Sequence, residues 1–445
     1  MTWSDALLAP IVLLLARQLF VLRAILRSQR FLVDEVRVGC EPPQPELNPF
    51  FYVVLPALRE AAGLSATVMH CLQLLNGHSG VLIIVTTQRE YSAGPVGIDE
   101  ESDTVSVASR LSDRVGIVHL HYPDPTGIKA DQLNYAVNWA IEKGQHQSHN
   151  GPAFFAFYDA DSRPPTNSLL HFAEAIRKSP DVDVFHQSSR FEARVGDSAR
   201  RQSFTQLLGL AFAESEALRA NRFVLGFELP RLRNRLEQTH RLKRKLSRYV
   251  FAHVTGHGLC IRASLLQRMQ FPPKSPLEDM HYSFLLCLRD MDMVPLRSLD
   301  VAEVPPTPRT QYEQLSRWFY GPGRWQSYLA AESSAGARAY VVSLSAAAIS
   351  CEWLGCGFVP LLVVACATLG HSLVALLACT LIVVVAAQVV LTNWFLGRRG
   401  RGLVTQAAGI LAFPFTMLLF GWAGIRGAIN LSRGRSGVGR TVRSN

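Results

Sequence analysis

The stretch Phe154-Phe155-Ala156-Phe157-Tyr158-Asp159-Ala160-Asp161-Ser162 decides how the rest of the chain is interpreted. The aromatic and alanine residues from 153 to 158 suit a central strand of a parallel sheet, and the following Arg163-Pro164-Pro165 prevents that strand from continuing. Asp159 and Asp161 are therefore expected at the carboxyl end of the strand, where open α/β sheets bind ligands. Two carboxylates suit a divalent cation, but a solvated turn uses the same residue types, and the stretch alone favours neither interpretation.

The composition indicates a soluble body with membrane segments attached. Of 445 residues, 48% are hydrophobic and 18% are charged, and the apolar excess lies at the amino end and beyond residue 340. The formal net charge is +10, and arginines flank the apolar runs at 398–401 and in the tail from 433 to 443. This placement favours anionic lipid headgroups over nucleic acid. The eight cysteines show no C-x-x-C pair and no metal-ligand spacing, which predicts free thiols.

Alternating strand and helix patterns predict a doubly wound, mostly parallel sheet. The predicted strands are Phe50 to Pro56, Val81 to Val85, Val115 to Leu120, 153 to 158 and Val182 to Ser188. A proline-rich linker at Glu41 to Pro45 precedes the first strand, so a domain is expected to start after it. A long basic stretch, Arg190 to Tyr249, has little strand character. It is either a membrane-facing or substrate-covering excursion or a solvated helical insertion.

Apolar runs at both ends predict membrane segments. Residues 6–26 are long enough to span a bilayer, although Arg17 inside the run also suits an interfacial helix. Tyr340 to Leu369, Ser372 to Phe395 and Leu403 to Ile425 are each apolar enough to span, with Pro414 inside the last. Basic residues flank both ends of that last run, so its charge pattern does not distinguish a spanning from a re-entrant path.

Two isolated residues are candidates for ligand contact. Lys129 follows Gly127 at the mouth of a predicted helix, where an ammonium suits phosphate oxygens, although a single lysine is commonly solvated. His257 lies between Gly256 and Gly258, and such glycines allow a ligand to approach the backbone closely. A tight turn around a structural histidine explains the same pattern.

Two further motifs lie on predicted helices. Glu278 and Asp279 open one helix, where they either complement its dipole or supply a carboxylate base. Gln314, Arg317 and Trp318 share one face of another helix at positions i, i+3 and i+4. An arginine fork can hold phosphate and an indole can cover a ring, whereas the same residues also anchor helices at bilayer boundaries.

Taken in order, these motifs resemble those of the membrane-integrated GT-A glycosyltransferases of family 2, a branch with cellulose, hyaluronan and chitin synthases and ceramide glucosyltransferase. The resemblance is carried by D-x-D at Asp159-Ala160-Asp161, E-D at Glu278-Asp279 and Q-x-x-R-W at Gln314 to Trp318. Pro56 to Glu60 and Gly127 to Asn134 are weaker anchors. The resemblance runs from residue 50 to residue 325 and implies an α/β GT-A fold with an α-helical transmembrane region.

The resemblance implies an inverting transfer from a nucleoside-diphosphate sugar, with a UDP-sugar favoured, to a growing polysaccharide or oligosaccharide. Asp159 and Asp161 would bind the nucleotide and a Mg²⁺ or Mn²⁺, and Asp279, next to Glu278, would be the general base. The other residues implied in nucleotide or substrate binding are Pro56, Glu60, Lys129, His257, Gln314, Arg317 and Trp318. The alternatives are a single transfer to a lipid acceptor and a non-catalytic membrane scaffold of the same fold.

The sequence departs from the family pattern in three respects. Thr86-Thr87 ends the second strand where the family commonly has an acidic residue that reads the base, and Leu277 replaces the threonine of the family's T-E-D. The third departure is a helix count that is low for a polymer channel.

The resemblance also implies how the chain is organised. An amino-terminal transmembrane or interfacial helix at 1–32 precedes a cytosolic GT-A domain at 48–310. An interface helix with Q-x-x-R-W follows at 311–335, then carboxyl-terminal transmembrane helices at 340–428 and a basic tail at 429–445. The expected partners are a nucleotide-sugar donor, a carbohydrate or lipid-linked acceptor and membrane lipids, with no nucleic acid. The expected location is a bacterial inner or plasma membrane, with the catalytic domain in the cytosol.

Overall fold

The computed structural model describes residues 3–33, 48–91, 103–193, 204–236, 241–331, 336–396 and 403–434. The predicted linker at 41–45, the arginine cluster at 398–401, the tail beyond 434 and Cys40 lie outside the described residues. The chain divides into two compact units. The sheet unit comprises residues 34–189 and 232–301, and the helical unit comprises residues 1–33, 190–231 and 302–445. The cysteines within the described ranges are free thiols.

Helices and strands alternate through the sheet unit, and helices dominate the helical unit. The strands are β1 (Phe50–Pro56), β2 (Gly80–Thr87), β3 (Ile117–Tyr122), β4 (Ala153–Phe157), β5 (Val184–His186), β6 (Ser189–Ala193), β7 (Leu259–Arg262), β8 (Met293–Pro295) and β9 (Asp300–Val304). The helices are α1 (Trp3–Val33), α2 (Ala61–Leu74), α3 (Thr104–Leu111), α4 (Lys129–Lys143), α5 (Ser168–Lys178), α6 (Phe204–Phe223), α7 (Leu229–Leu236), α8 (Arg241–Ser247), α9 (Ala263–Arg268), α10 (Glu278–Leu288), α11 (Pro308–Trp318), α12 (Tyr320–Gly323), α13 (Trp325–Ala331), α14 (Ala337–Cys356), α15 (Phe358–Thr368), α16 (Ser372–Phe395) and α17 (Leu403–Ser432).

The main sheet is mixed and mostly parallel, as the sequence predicts. Its strand order is β3-β2-β1-β4-β7-β5-β8, and β6 pairs with β9 in a separate two-stranded sheet. The order reverses between β1 and β4, and a crevice forms outside the carboxyl ends of the strands at such a switch point. β1 ends at Pro56 and β4 ends at Phe157, so the chain delivers Asp159 to this crevice.

Buried aromatic rings fix β4 in the middle of the sheet. Phe154, Phe155 and Phe157 have no exposed surface. Phe155 stacks on Tyr52 of β1 with ring centroids 4.8 Å apart, and Phe157 meets Phe271 edge to face at 5.2 Å. Burying one such ring contributes roughly 1.5–3 kcal/mol, so this strand is a rigid base for the residues that follow it.

β7 is the exception to the parallel pattern. It runs antiparallel between β4 and β5. The amide of Gly258, just before β7, donates a 2.9 Å hydrogen bond to the carbonyl of Phe157 at the end of β4. Because an antiparallel strand starts where its neighbour ends, Gly256 and His257 lie at the same edge of the sheet as Asp159.

β3 begins two residues later than the sequence predicts. Val115 is fully exposed (100%), and Gly116 adopts φ +85°, which belongs to a turn. The strand starts at Ile117, beyond that turn, and pairs in parallel with β2.

Three helices in the described part of the chain are long and apolar enough to cross a membrane, namely α14, α16 and the Ala407–Ser432 part of α17. Gly357 interrupts the predicted run from Tyr340 to Leu369, which forms α14 and the shorter α15. A Cβ at Gly357 would lie 2.7 Å from the Cα of Gly421 in α17, so the two backbones meet at this break. Small residues permit such close packing between apolar helices.

Polar side chains link helices inside the helical unit. Arg17 of α1 donates two hydrogen bonds to Glu352 of α14, at 2.9 and 2.7 Å. Arg222 of α6 donates to the side-chain oxygens of Gln388 (2.8 Å) and Gln18 (2.7 Å). Each arginine therefore joins segments that are far apart in the sequence, and these bonds satisfy groups that would be costly to leave unpaired among apolar helices.

Candidate active site

Lys129, Asp159 and Glu278 meet in the sheet unit. Lys129 is the first residue of α4, Glu278 is the first residue of α10, and Asp159 follows β4. The Nζ atom of Lys129 lies 2.6 Å from Oδ1 of Asp159 and 3.1 Å from Oε1 of Glu278. One ammonium thus bridges two carboxylates from segments more than 100 residues apart in the chain.

Burial gives this cluster unusual electrostatics. The Glu278 side chain is only 7% exposed, and burial raises the pKa of its carboxyl, while the Lys129 ammonium offsets part of that rise. Burial acts to lower the pKa of Lys129, but Asp159 and Glu278 outweigh it, and the net shift is upward. Lys129 therefore remains a fixed positive charge at neutral pH.

Asp279 is held by backbone amides. The amide of Gly256 donates to its Oδ2 at 2.9 Å, and the amide of Met280 donates to its Oδ1 at 2.7 Å. A Cβ at Gly256 would lie 3.0 Å from Oε1 of Glu278 and 3.1 Å from Nζ of Lys129. A side chain at position 256 would therefore press on both charged groups, and Glu278 and Asp279 do more than cap α10.

The two aspartates of Asp159-Ala160-Asp161 occupy a hydrogen-bonded turn. The hydroxyl of Ser162 accepts a hydrogen bond from the amide of Asp159 at 3.1 Å, and the amide of Ser162 donates to the carbonyl of Asp159 at 2.9 Å. Ala160 between them is buried at 5% exposure. The turn fixes the backbone that carries both carboxylates.

His257 belongs to the same edge of the sheet but has its own partners. Its Nδ1 lies 3.0 Å from Oδ2 of Asp300, which is fully buried, and the hydroxyl of Ser189 lies 3.2 Å from the same nitrogen. Burial acts to lower the pKa of His257, but the Asp300 carboxylate raises it to about 9. The ring is therefore an imidazolium at neutral pH. Asp300 was not predicted from the sequence, because an isolated aspartate at the start of a short strand does not indicate a functional partner.

Pro56 and Glu60 flank a turn after β1. Arg59 adopts φ +56°, and its amide donates to Oε2 of Glu90 at 2.7 Å. The amide of Glu60 donates to the hydroxyl of Thr104 at 2.9 Å, and that hydroxyl donates to Oε1 of Glu90 at 2.8 Å. Buried Glu90, which sequence analysis did not single out, therefore shapes the turn at the end of β1.

Gln314, Arg317 and Trp318 lie on α11, in the helical unit. Leu315 of the same helix packs against Phe420 and Ala423 of α17, and Trp318 meets the ring of Phe191 at 6.5 Å. The motif is therefore helical, with the spacing that the sequence predicts. Lys129, Asp159, Glu278, Asp279 and His257 are brought together in the sheet unit.

Comparisons with known proteins agree with this architecture. The sequence profile of glycosyl transferase family group 2 matches residues 154–396, more than half of the chain. A mannosyltransferase from Pyrobaculum calidifontis, solved with GDP-Man and Mn²⁺, is similar in fold at 14% identity and a TM-score of 0.50. That match covers 95% of this chain and 98% of the other. No curated protein sequence matches the chain.

A second solved structure is less similar. Glucosyl-3-phosphoglycerate synthase from Mycobacterium tuberculosis, in complex with Mn²⁺, UDP and phosphoglyceric acid, matches at 15% identity and a TM-score of 0.31. The match covers 58% of this chain and 72% of the other.

The sheet and its helices thus form a GT-A-like fold, with three helices apolar enough to cross a membrane near the carboxyl end. The chain belongs to glycosyl transferase family group 2 and is a glycosyltransferase.

Proposed function

We propose that the chain is an inverting membrane glycosyltransferase that moves a sugar from a nucleoside-diphosphate sugar to the hydroxyl of a saccharide acceptor. One observation carries this proposal. At the switch point of the sheet, the Lys129 ammonium contacts Asp159 and Glu278, and Asp279 is fixed next to them. A phosphate-binding cation, a metal-binding carboxylate and a candidate base therefore converge where ligands bind in this class of fold.

Asp279 is the residue we assign as the general base. Two backbone amides hold its carboxylate in one orientation, and each oxygen keeps a further lone pair with which to accept the proton of an acceptor hydroxyl. As that proton moves to Asp279, the hydroxyl oxygen forms its bond to the anomeric carbon. The bond from that carbon to the diphosphate breaks on the opposite face, so the product has the inverted configuration. Lys129 stabilises the negative charge that develops on the diphosphate.

Asp159 and Asp161 are the residues that would hold a divalent cation. Their carboxylate oxygens are hard ligands, which suit Mg²⁺ or Mn²⁺. Within the described residues, no group of three or more His, Cys, Asp or Glu side chains could hold a metal, and this fits an ion that completes its shell with phosphate oxygens and water. When bound, the ion neutralises charge on the leaving diphosphate. The Mn²⁺ in the complex of the mannosyltransferase from Pyrobaculum calidifontis supports a divalent cation in this chain.

Excess negative charge at the site supports the same assignment. One ammonium, that of Lys129, faces Asp159, Glu278 and Asp279, and a diphosphate adds further negative charge. The nearby His257 imidazolium adds no excess positive charge, because it is paired with Asp300. A divalent cation at Asp159 and Asp161 offsets this excess, which Lys129 alone does not.

The remaining predicted residues are assigned as follows. Pro56 and Glu60 contact the nucleotide at the end of β1, and the His257 imidazolium faces the diphosphate or a sugar hydroxyl. On α11, Arg317 is assigned to neutralise phosphate, and Gln314 and Trp318 are assigned to the acceptor. The protein resides in a bacterial inner or plasma membrane, with the sheet unit in the cytosol and membrane lipids around its apolar helices.

The primary experiment measures nucleoside-diphosphate release by the purified protein from UDP-sugars and GDP-sugars in parallel, with and without Mn²⁺. We expect metal-dependent release, with a UDP-sugar preferred, and a loss of about 10²–10⁴-fold in Asp279→Asn. Asp113→Asn changes an exposed aspartate in the same unit and is the matched control. Equal release by the Asp279→Asn variant and the wild type would rule out Asp279 as the base.

Product analysis distinguishes the acceptor classes. A polysaccharide or oligosaccharide acceptor predicts a ladder of product lengths, whereas a single transfer to a lipid acceptor predicts one product. The second possibility is favoured by the presence of only three apolar helices long enough to cross a membrane in the described ranges. The anomeric configuration of the first product, measured by NMR, tests inversion directly.

A further inference from the structure

Helix α8 exposes apolar side chains that belong to no hydrophobic core among the described residues. None of its residues from Arg241 to Ser247 is buried, and Leu242 and Leu246 are 71% and 61% exposed. Val250, four residues further on, is 36% exposed. A soluble helix ordinarily turns such residues inward, so leucines that share one exposed face suit contact with another apolar environment.

The charges on α8 are arranged around its leucines. Four of its seven residues are basic and none is acidic. At 100° per residue, Leu242 and Leu246 form one ridge, Lys243 and Lys245 flank it on opposite sides, and Arg244 lies behind it. Lysines that flank an apolar ridge can extend their stems along acyl chains and leave their ammonium groups among phosphates.

The sheet unit holds the end of this helix firmly. Arg235, which is fully buried, donates a 3.1 Å hydrogen bond to the carbonyl of Arg248, and Arg248 forms ion pairs with Asp290 (3.3 Å) and Asp292. The hydroxyl of Ser247 donates to the carbonyl of Asn234 at 2.9 Å. These bonds therefore fix the position of the helix that carries the two leucines.

We propose that the ridge of Leu242 and Leu246, with its surrounding basic side chains, binds the surface of an anionic phospholipid bilayer. The leucines enter the boundary between headgroups and acyl chains, and the basic groups contact lipid phosphates. The inference rests on the membrane association stated above and is independent of the transfer reaction.

The basic and apolar side chains of α8 together favour an anionic bilayer over other ligands. Binding of soluble phosphate would account for the basic residues but not for the two exposed leucines. Binding of an apolar protein surface would not account for four basic residues among the seven of α8. The same chain contains helices apolar enough to cross a membrane, so a bilayer is available to α8.

The test uses the full chain in nanodiscs of phosphatidylcholine or of phosphatidylglycerol, with a photoreactive benzophenone amino acid at position 246. The matched control carries it at position 115, an apolar position of the sheet unit that is 100% exposed. We expect lipid adducts at position 246, about tenfold more abundant in phosphatidylglycerol. Combining Arg241→Glu with Lys245→Glu should remove most of that preference, because it replaces two positive charges beside the leucines with negative ones. Both side chains are exposed and take no part in the proposed chemistry.

Three outcomes would overturn the inference. They are lipid adducts at position 246 no more abundant than at 115, equal adducts in the two lipids, and adducts to another protein only. Diphosphate release measured in the same nanodiscs separates the two proposals, because an inactive chain with lipid-labelled α8 contradicts only the transferase mechanism. Failure of the chain to enter nanodiscs would remove both the membrane assignment and this inference.

Discussion

The backbone amide of Gly256 lies 2.9 Å from Oδ2 of Asp279, and a Cβ at this glycine would lie 3.0 Å from Oε1 of Glu278 and 3.1 Å from Nζ of Lys129. We predict that Gly256→Ala lowers transferase activity, because these side chains must shift to accept the methyl group, and that the loss stays below the roughly 10²-fold of a 1 Å displacement. Steady-state diphosphate release measures the effect.

Gly63→Ala is its control. Nothing lies within 4 Å of a Cβ at that position in α2, and alanine is the better helix former by up to about 1 kcal/mol. Gly63→Ala should retain full activity and unchanged or higher stability. Full activity in Gly256→Ala would show that the close contact does not shape the site.

Lys129 and Glu278 should be energetically coupled. Lys129→Met leaves a 7%-exposed carboxyl without its cation, and we expect a loss of about 3 kcal/mol in the free energy of unfolding. In Lys129→Met combined with Glu278→Gln, most of that loss should be recovered while activity stays low, because the phosphate-binding charge is still missing. Unfolding in detergent provides the four stabilities of the cycle, and strictly additive losses would contradict the coupling.

The His257–Asp300 pair should make stability depend on pH. The folded pKa of His257 is about 9 against 6.5 for the free side chain, so its contribution is complete below pH 6.5 and disappears as pH rises through 9. At about 1.4 kcal/mol per pKa unit the contribution is about 3 kcal/mol. The wild type should therefore lose stability between pH 6.5 and 9 relative to Asp300→Asn, in which the largest effect that raises the pKa of His257 is missing and burial, Asp159 and Lys129 still act on the ring. Parallel unfolding-versus-pH curves for the two proteins would contradict this assignment.

The contact between Gly357 and Gly421 should limit the stability of the helical unit. A Cβ at Gly421 would lie 2.6 Å from the Cα of Gly357, so Gly421→Ala must push two backbones apart. We expect a cost of about 1–3 kcal/mol, measured as a lower midpoint of thermal unfolding in detergent micelles.

Gly355→Ala supplies the comparison within the same helices, because nothing lies within 4 Å of its Cβ. It should be neutral or slightly stabilising. Equal midpoints for Gly421→Ala and Gly355→Ala would mean that the helices adjust freely at the contact.

The order of apolar, polar and proline residues along the sequence predicted the strands and helix starts that depend on neighbouring residues. Apolar runs bounded by proline or polar residues located β1, β2 and β4, and the end of β4 placed Asp159 at the carboxyl edge of the sheet. Lys129, Glu278 and Asp279 were each identified, because each lies in the first turn of a predicted helix and belongs to a motif of the family that the sequence resembles. For none of them did the residue itself reveal its partner.

Contacts between residues far apart in the chain could not be predicted from the sequence. A strand of four residues such as β7 carries no signal for its direction, so the hydrogen bond from Gly256 to Asp279 was not predictable. Asp300 acquires its role only because the fold buries it beside His257. Likewise, α6 contains Glu214 and Glu216, which suit a solvated helix, yet their exposures are 0% and 2%, because the fold and not the composition determines their burial.

The division of the chain into interleaved segments has a consequence for synthesis on the ribosome. β4 and Asp159 emerge early, but Gly256, just before β7, and Asp279, in α10, emerge only after residues 190–231 of the other unit have been made. Neither unit corresponds to one continuous gene fragment. A shortened protein that preserves the catalytic residues must therefore either retain part of the helical unit or replace it with a designed connection.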